Sequence, residues 1–268
     1  MLYFIPTPIG NLEDISLRSL NLLGKCEILF CEDTRVTKKL INLLSQRFSL
    51  KTNIQEFISL HSHNEKEVIK KLDKSIFEKE VAYLSDAGMP CVSDPGCALV
   101  EYCQKNSISY EVIPGANALT LAYSASGFCE SEFLFLGFLP HKGKDRDKKL
   151  HEAMFSGYVT LLYESPHRLL KLIEQICNID EKREIFLIKE ATKKFEEKFK
   201  ASAKDILIEF KNKDIKGEWV VVLNSGTKMS SQITLDDIKS LDIPKKQMAK
   251  LISKLTGIAV KECYNELL

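Results

Sequence analysis

The chain has 268 residues, 44% of them hydrophobic, which supports one large core or two moderate ones and excludes a disordered tail or a small stapled module. Its 38 Lys and Arg meet 37 Asp and Glu, so a net charge of +1 gives no global attraction to nucleic acid, and any such partner must be met by local patches. Eight cysteines, in a chain that opens without a signal peptide, read as reduced cytosolic thiols; no C-x-x-C pair or Cys/His cluster offers a metal site, and no apolar run approaches the roughly eighteen residues of a membrane span.

In chain order, Leu2 to Ile5, Glu27 to Cys31, Phe57 to Leu60, Val81 to Leu84 and Tyr110 to Ile113 are predicted strands. Helices are predicted between them near 14–23, 34–44, 64–73, 97–105 and 116–125. This alternation specifies an α/β fold with a mostly parallel sheet covered on both faces. The rhythm pauses at Gly127, and a second series follows: Phe133 to Leu136, Tyr158 to Tyr163, Glu184 to Ile188 and Glu218 to Leu223, with helices at 165–176 and 203–210. Two α/β domains, 1–127 and 128–224, are therefore expected. Residues 224–233 read as a polar linker, and 225–268 as linker plus a small helical appendage, with Met248, Leu251, Ile252 and Leu255 at helical spacing.

Four loops at predicted strand ends concentrate Gly, Pro and charge on one rim: PTPIGN (6–11), CEDTR (31–35), SDAGMPCVSDPG (85–96) and IPGANA (113–118). The third holds two Gly, two Pro and two Asp, a stiff loop through which backbone can approach a ligand and carboxylates can meet a cation or sugar hydroxyls. Neither G-x-G-x-x-G, the P-loop pattern nor G-x-S-x-G occurs, so a nucleotide-like cofactor would be held by another design. In YESPHR (163–168), Ser165 is a predicted N-cap with Pro166 at the first helical position, and Arg168 near a cleft suits phosphate or carboxylate. Asn64 is a predicted N-cap with Glu67 three residues on, while His61 and His63 lack a third ligand. Runs 141–151, 189–200 and 243–268 each carry five Lys or Arg and a positive excess, which reads either as solvated helix faces or as a surface for RNA or DNA.

Taken in order, PTPIGNLEDIS, CEDTR, HNE, SDAGMPCVSDPG, PGANA, LGFLP and YESPHR resemble the bacterial 16S ribosomal RNA cytidine 2′-O-ribose methyltransferases, across almost the whole chain. The resemblance implies the tetrapyrrole-methylase type of S-adenosylmethionine enzyme: two α/β domains with the cofactor in the cleft between them, 16S rRNA in the small ribosomal subunit as partner, a cytoplasmic location and a homodimer. It also implies cofactor contacts at Pro8, Asp86, Ala87, Gly88, Ser93, Asp94, Pro114, Gly115, Ala116, Asn117, Tyr163 and Glu164. Met89 stands where the family usually has threonine, Ala116-Asn117 where proline then serine is usual, and KEATK where Arg-Glu-Leu-Thr-Lys is typical. A 2′-hydroxyl is a poor acid, so a base is expected, Asp33 or Glu190, with Arg35 or Lys189 stabilising the developing oxyanion; Glu32 is a further candidate. Relatives acting on a tetrapyrrole or on a modified histidine share this plan, and a metabolite-sensing nucleic-acid-binding regulator is the alternative from outside the enzymes.

Overall fold

Period-two alternation in the short apolar runs places Leu2 and Phe4 on one sheet face and Tyr3 and Ile5 on the other, and both faces are buried. The computed structural model describes residues 1–226 and 235–267 and divides into two units, Met1–Gly226 and Thr227–Leu268. In the first unit, strands β1 (Leu2–Phe4), β2 (Ile28–Cys31), β3 (Glu56–Ser59), β4 (Val81–Leu84) and β5 (Tyr110–Val112) form a parallel sheet in the order β3-β2-β4-β1-β5. Helices α1 (Leu17–Lys25) and α2 (Thr34–Phe48) cover one face through Leu20, Leu23, Ile41 and Leu44. Helices α3 (Glu65–Lys70) and α4 (Cys97–Lys105) cover the other through Val68, Ile69, Leu99 and Cys103.

The second sheet contains β6 (Phe133–Phe138), β7 (Val159–Glu164), β8 (Glu184–Lys189), β9 (Glu197–Ser202) and β10 (Trp219–Leu223) in the order β6-β7-β10-β8-β9. Only β6 and β7 run parallel; the other pairs are antiparallel. Helix α5 (Ala118–Ser126) follows β5 yet buries Leu119 and Ala122 against Phe186, Ile188, Val220 and Val222 of this second sheet. Helices α6 (Lys144–Phe155), α7 (Pro166–Ile179) and α8 (Ala203–Phe210) pack on its opposite face.

Two elements lie inside runs that composition marks only as charged. Within 141–151 and beyond, α6 buries Arg146, Leu150, Ala153 and Met154. Within 189–200, β9 turns Phe199 and Ala201 toward the core and leaves Lys198 and Lys200 exposed. The short 190–196 connection allows only antiparallel pairing of β8 with β9.

In the second unit, α9 (Leu235–Lys239), α10 (Lys245–Thr256) and α11 (Val260–Glu266) gather Ile238, Met248, Ala249, Ile252 and Cys263 into a small core. Most of the predicted linker, from residue 227 on, lies outside the described residues. No helix among the described residues is long and apolar enough to cross a membrane.

Candidate active site

The loop that follows β4 is stitched to the loop that follows β1. Thr7 and Gly88 exchange backbone hydrogen bonds of 3.0 and 3.1 Å, and the Ser85 hydroxyl donates to the Gly88 carbonyl at 3.2 Å. Gly88 needs its freedom for this contact, since its φ of +89° is a conformation that side chains resist. Farther along, Cys91 and Ser93 take left-handed backbone at φ 68° and 65°, a strain of order 1 kcal/mol or more each that persists only in an over-determined loop. The determination is visible: Glu65 accepts from the Gly96 and Ala98 amides at 3.0 and 3.1 Å, anchoring the start of α4.

Between this loop and the strand ends of the second sheet lies a recess of about 340 Å³, the size of a small-molecule site. Ile9, Met89, Val92, Phe138, Ile188 and Val220 give it apolar walls. Of the expected cofactor residues, Ala87, Gly88, Ser93 and Asp94 line it from one side and Tyr163 and Glu164 from the other, with Asn117 between. Pro8, Asp86, Pro114, Gly115 and Ala116 do not line it; Gly115 and Ala116 border a shallower hollow beside it. The Asn117 side chain is engaged as the N-cap of α5, accepting from the Leu119 amide at 2.8 Å. The walls from Phe138, Ile188, Trp219 and Val220 are not among the expected cofactor contacts, because a strand residue carries no local sign of which ligand space it faces, whether buried like Ile188, Trp219 and Val220 or exposed like Phe138.

Three carboxylates converge where β2 and β4 end side by side. Burial, then Glu32 and Asp86, push the Asp94 carboxyl up to about 7, against a lowering hydrogen bond from Ser85. Burial likewise raises Glu32 and Asp86, and burial followed by Asp94 pushes the Tyr163 phenol up to about 12. The folded protein therefore binds a proton at Asp94 between about pH 4 and 7 that the unfolded chain has released, so stability is greatest at the low end of that window and falls as pH rises toward 7. Urea midpoints should drop from pH 5 to pH 8 by the equivalent of roughly 1 kcal/mol or more, and Asp94→Asn should flatten most of that drop. Parallel profiles for the two proteins would contradict it.

Asp33 sits at the N-cap of α2, where its carboxylate binds the Arg35 guanidinium at 3.1 and 2.6 Å and the Arg35 amide at 2.8 Å. The Arg35 side chain and amide hold Asp33 well below the usual carboxylate range. Burial would raise Glu190, yet the Glu218 amide and the Lys193 ammonium outweigh it and keep Glu190 low. Lys189 is paired with Glu197 at 2.6 Å across the β8–β9 ladder. None of these four lines the recess.

Glu164 has its carboxylate turned away from solvent. It accepts from Arg146 at 3.1 Å, Arg168 at 2.6 Å and the Ser165 amide at 2.9 Å. Ser165 and Pro166 do start α7, though the Ser165 hydroxyl accepts from Arg168 rather than capping an amide. Asn64 precedes α3 as expected, but its side chain braces the turn, accepting from the His61 amide and donating to the Ser59 carbonyl. Among the described residues no three His, Cys, Asp or Glu side chains are grouped to hold a metal ion.

Residues 1–207 match the tetrapyrrole (corrin/porphyrin) methylases. The chain is 55% identical to the ribosomal RNA small subunit methyltransferase I of Campylobacter fetus subsp. fetus (strain 82-40), with all of both chains covered. It is 41% identical to the protein of that name from Helicobacter pylori (strain J99), over 98% of this chain and 96% of that one. In fold it is similar to a cobalt precorrin-4 methyltransferase, with a TM-score of 0.60 at 17% identity over 83% of this chain and 94% of that one. A uroporphyrin III C-methyltransferase from Thermus thermophilus gives 0.57 at 16% identity, over 82% and 96%. A sheet pair whose facing strand ends enclose one apolar recess, together with matches of this extent, carries the assignment: the chain belongs to the tetrapyrrole (corrin/porphyrin) methylase family and, within it, groups with the ribosomal RNA small subunit methyltransferase I proteins.

Proposed function

We propose that this chain transfers a methyl group from S-adenosylmethionine to the ribose 2′-oxygen of a cytidine in the decoding region of 16S rRNA, acting on the small ribosomal subunit in the cytoplasm as a homodimer with lobes 1–127 and 128–224. The full-length similarity to proteins named for small-subunit rRNA methylation carries this reading.

The recess suits the cofactor: its volume, its aliphatic and aromatic walls and the Asp94 carboxylate fit a flat heterocycle, a sugar and a sulfonium cation. A Thermus thermophilus uroporphyrin-III C-methyltransferase of this fold was solved complexed with S-adenyl homocysteine, which supports S-adenosylmethionine as the cofactor. When bound, S-adenosylmethionine supplies a methyl made electrophilic by its sulfonium. The chain must then hold the acceptor oxygen in line and keep water out. Ala87, Gly88, Ser93, Asn117 and Tyr163 hold the cofactor, and Glu164 acts through Arg146 and Arg168 to set the wall that carries Tyr163. Pro8, Asp86, Pro114, Gly115 and Ala116 stand behind the opposite, first-sheet side of the recess, where Asp86 accepts from the Asp33 amide at 3.2 Å and Gly115 lies against Pro6. Asp33 and Glu190 are anions held by cations and amides, which makes them weak bases; they position Arg35 and the 190–196 loop, and Lys189 fixes β9 to β8. Asp94, which lines the recess and titrates near neutrality, is matched to accept the 2′-hydroxyl proton.

Small subunits from a strain lacking this gene, incubated with the full chain and methyl-labelled S-adenosylmethionine, should yield label in 2′-O-methylcytidine after nuclease digestion. Unlabelled RNA, with the cofactor still bound in calorimetry, would overturn the reading in favour of a small-molecule or protein acceptor.

A further inference from the structure

The cofactor recess ends at Ile9 and Ala191, and the next residue on each wall opens a second hollow. This hollow, about 480 Å³, is bounded by Gly10–Glu13, Arg47 and Thr192–Lys194. Its lining presents three cations, Arg47, Lys193 and Lys194, against Glu13 alone. Lys193 is engaged by Glu190 and Glu218, and Arg47 pairs with Glu13 while keeping 61% of its side chain exposed. Lys194 is exposed and has no carboxylate partner among the described residues; its ammonium lies 5.7 Å from the ring centre of Phe195.

Phe195 itself is 67% exposed, on a loop that is not loosely held. Glu190 and Thr192 take left-handed backbone at φ 50° and 64°, the Thr192 amide donates to Glu196 at 2.6 Å, and the Thr192 hydroxyl accepts from the Asn11 amide at 3.0 Å. A strained, well-bonded loop that presents an aromatic ring and an unneutralised lysine to solvent is organised for a ligand with a flat face and an anion. Single-stranded RNA has both, and its unpaired bases stack on aromatic side chains while its phosphates take lysine and the guanidinium fork. The chain geometry of RNA places a phosphate close at hand: the phosphate following a ribose hangs on the 3′-oxygen, beside the 2′-hydroxyl, so a ribose presented to the first recess brings a phosphate within a few ångströms of its reacting oxygen.

We propose that this second hollow is the docking track for the single-stranded RNA flanking the target nucleotide, with Lys194 and Arg47 on its phosphate and Phe195 stacked on an unpaired base. The proposal rests on the reading of the chain as an rRNA methyltransferase.

Fluorescence anisotropy of a short labelled oligoribonucleotide, with KM for small subunits, tests it on the full chain. Lys194→Gln should weaken binding and reduce the slope of log affinity against log salt by about 0.7, the release expected for one single-strand phosphate. Phe195→Ser should weaken binding about 5- to 100-fold with the slope unchanged, and Phe195→Trp should restore it. In each variant the change should fall on KM rather than kcat, with S-adenosylhomocysteine affinity unaltered. Wild-type RNA affinity and KM in both loss variants would overturn the docking track while leaving methylation standing, as would losses that follow cofactor affinity. Failure of the wild-type chain to methylate subunits would remove the functional reading and the track with it.

Discussion

Glu164→Ala is expected to destabilise the protein by about 3–5 kcal/mol, because it strands a buried guanidinium. Arg146, with 2% of its side chain exposed, has Glu164 as its anion; its other contacts are the neutral Gln175 oxygen at 3.0 Å and the Pro140 carbonyl at 3.3 Å. Arg168 shares the same carboxylate and also donates to the Leu139 carbonyl at 3.2 Å. One side chain thus ties β7, the start of α7, α6 and the 139–140 segment together. A loss of this size is a large part of the 5–15 kcal/mol that usually separates folded from unfolded domains. Glu164→Gln, which keeps a neutral acceptor, should lose less, and the double replacement Glu164→Met with Arg146→Met should recover part of the stability, since it removes the fully buried cation with its anion and leaves only Arg168, 19% exposed and still bonded to the Leu139 carbonyl, without a carboxylate. Urea unfolding of the four proteins decides it. A single-variant loss under about 1 kcal/mol, or a double variant no better than Glu164→Ala, would mean the pair is not what holds this corner.

The same pair shows where sequence was legible and where it was not. Local strand and helix signals located nearly every element of the first sheet, because a parallel strand buried on both faces is a short apolar run with little else it can be. In the second half, Arg146, Leu150, Ala153 and Met154 stand at i, i+4, i+7 and i+8, a helical stripe with an arginine in it, and all four are buried. The surrounding lysines mask that stripe, and so do those around the Phe199 and Ala201 alternation of β9. Three residues from the loop motifs, Asp94, Tyr163 and Asn117, do meet at one recess. What each carboxylate does there was not legible. The proton affinity of Asp94 depends on its burial and then on Glu32 and Asp86, and β4 reaches β2 by a sheet order that places strand four beside strand two rather than beside strand three. Left-handed backbone at Cys91 and Ser93 likewise leaves no mark in the residue types themselves.

Gly10→Val should lower affinity for S-adenosylhomocysteine by up to roughly 5- to 150-fold while leaving both sheets folded. A Cβ at residue 10 would stand 2.4 Å from the Lys193 Cγ, 2.7 Å from the Thr192 hydroxyl oxygen and 3.0 Å from the Ala191 carbonyl oxygen. The lysine stem can swing aside, but Thr192 is held by the Asn11 amide and Ala191 is backbone, so the two loops must separate. Overpacking of this kind costs about 1–3 kcal/mol. Its effect falls on the proposed cofactor site because the immediate neighbours, Ile9 on one loop and Ala191 on the other, are walls of the recess. Should the whole cost oppose the ligand-competent arrangement, it converts to roughly 5- to 150-fold in affinity. Thr192→Val separates the two contributions: it keeps the shape, removes the acceptor for Asn11 and should cost only a few-fold. Calorimetric titration of the three proteins, with circular dichroism to verify folding, reads the result directly. Undiminished affinity in Gly10→Val would show that the loops part without moving Ile9 or Ala191, and that the close approach at Gly10 does not set the width of the recess.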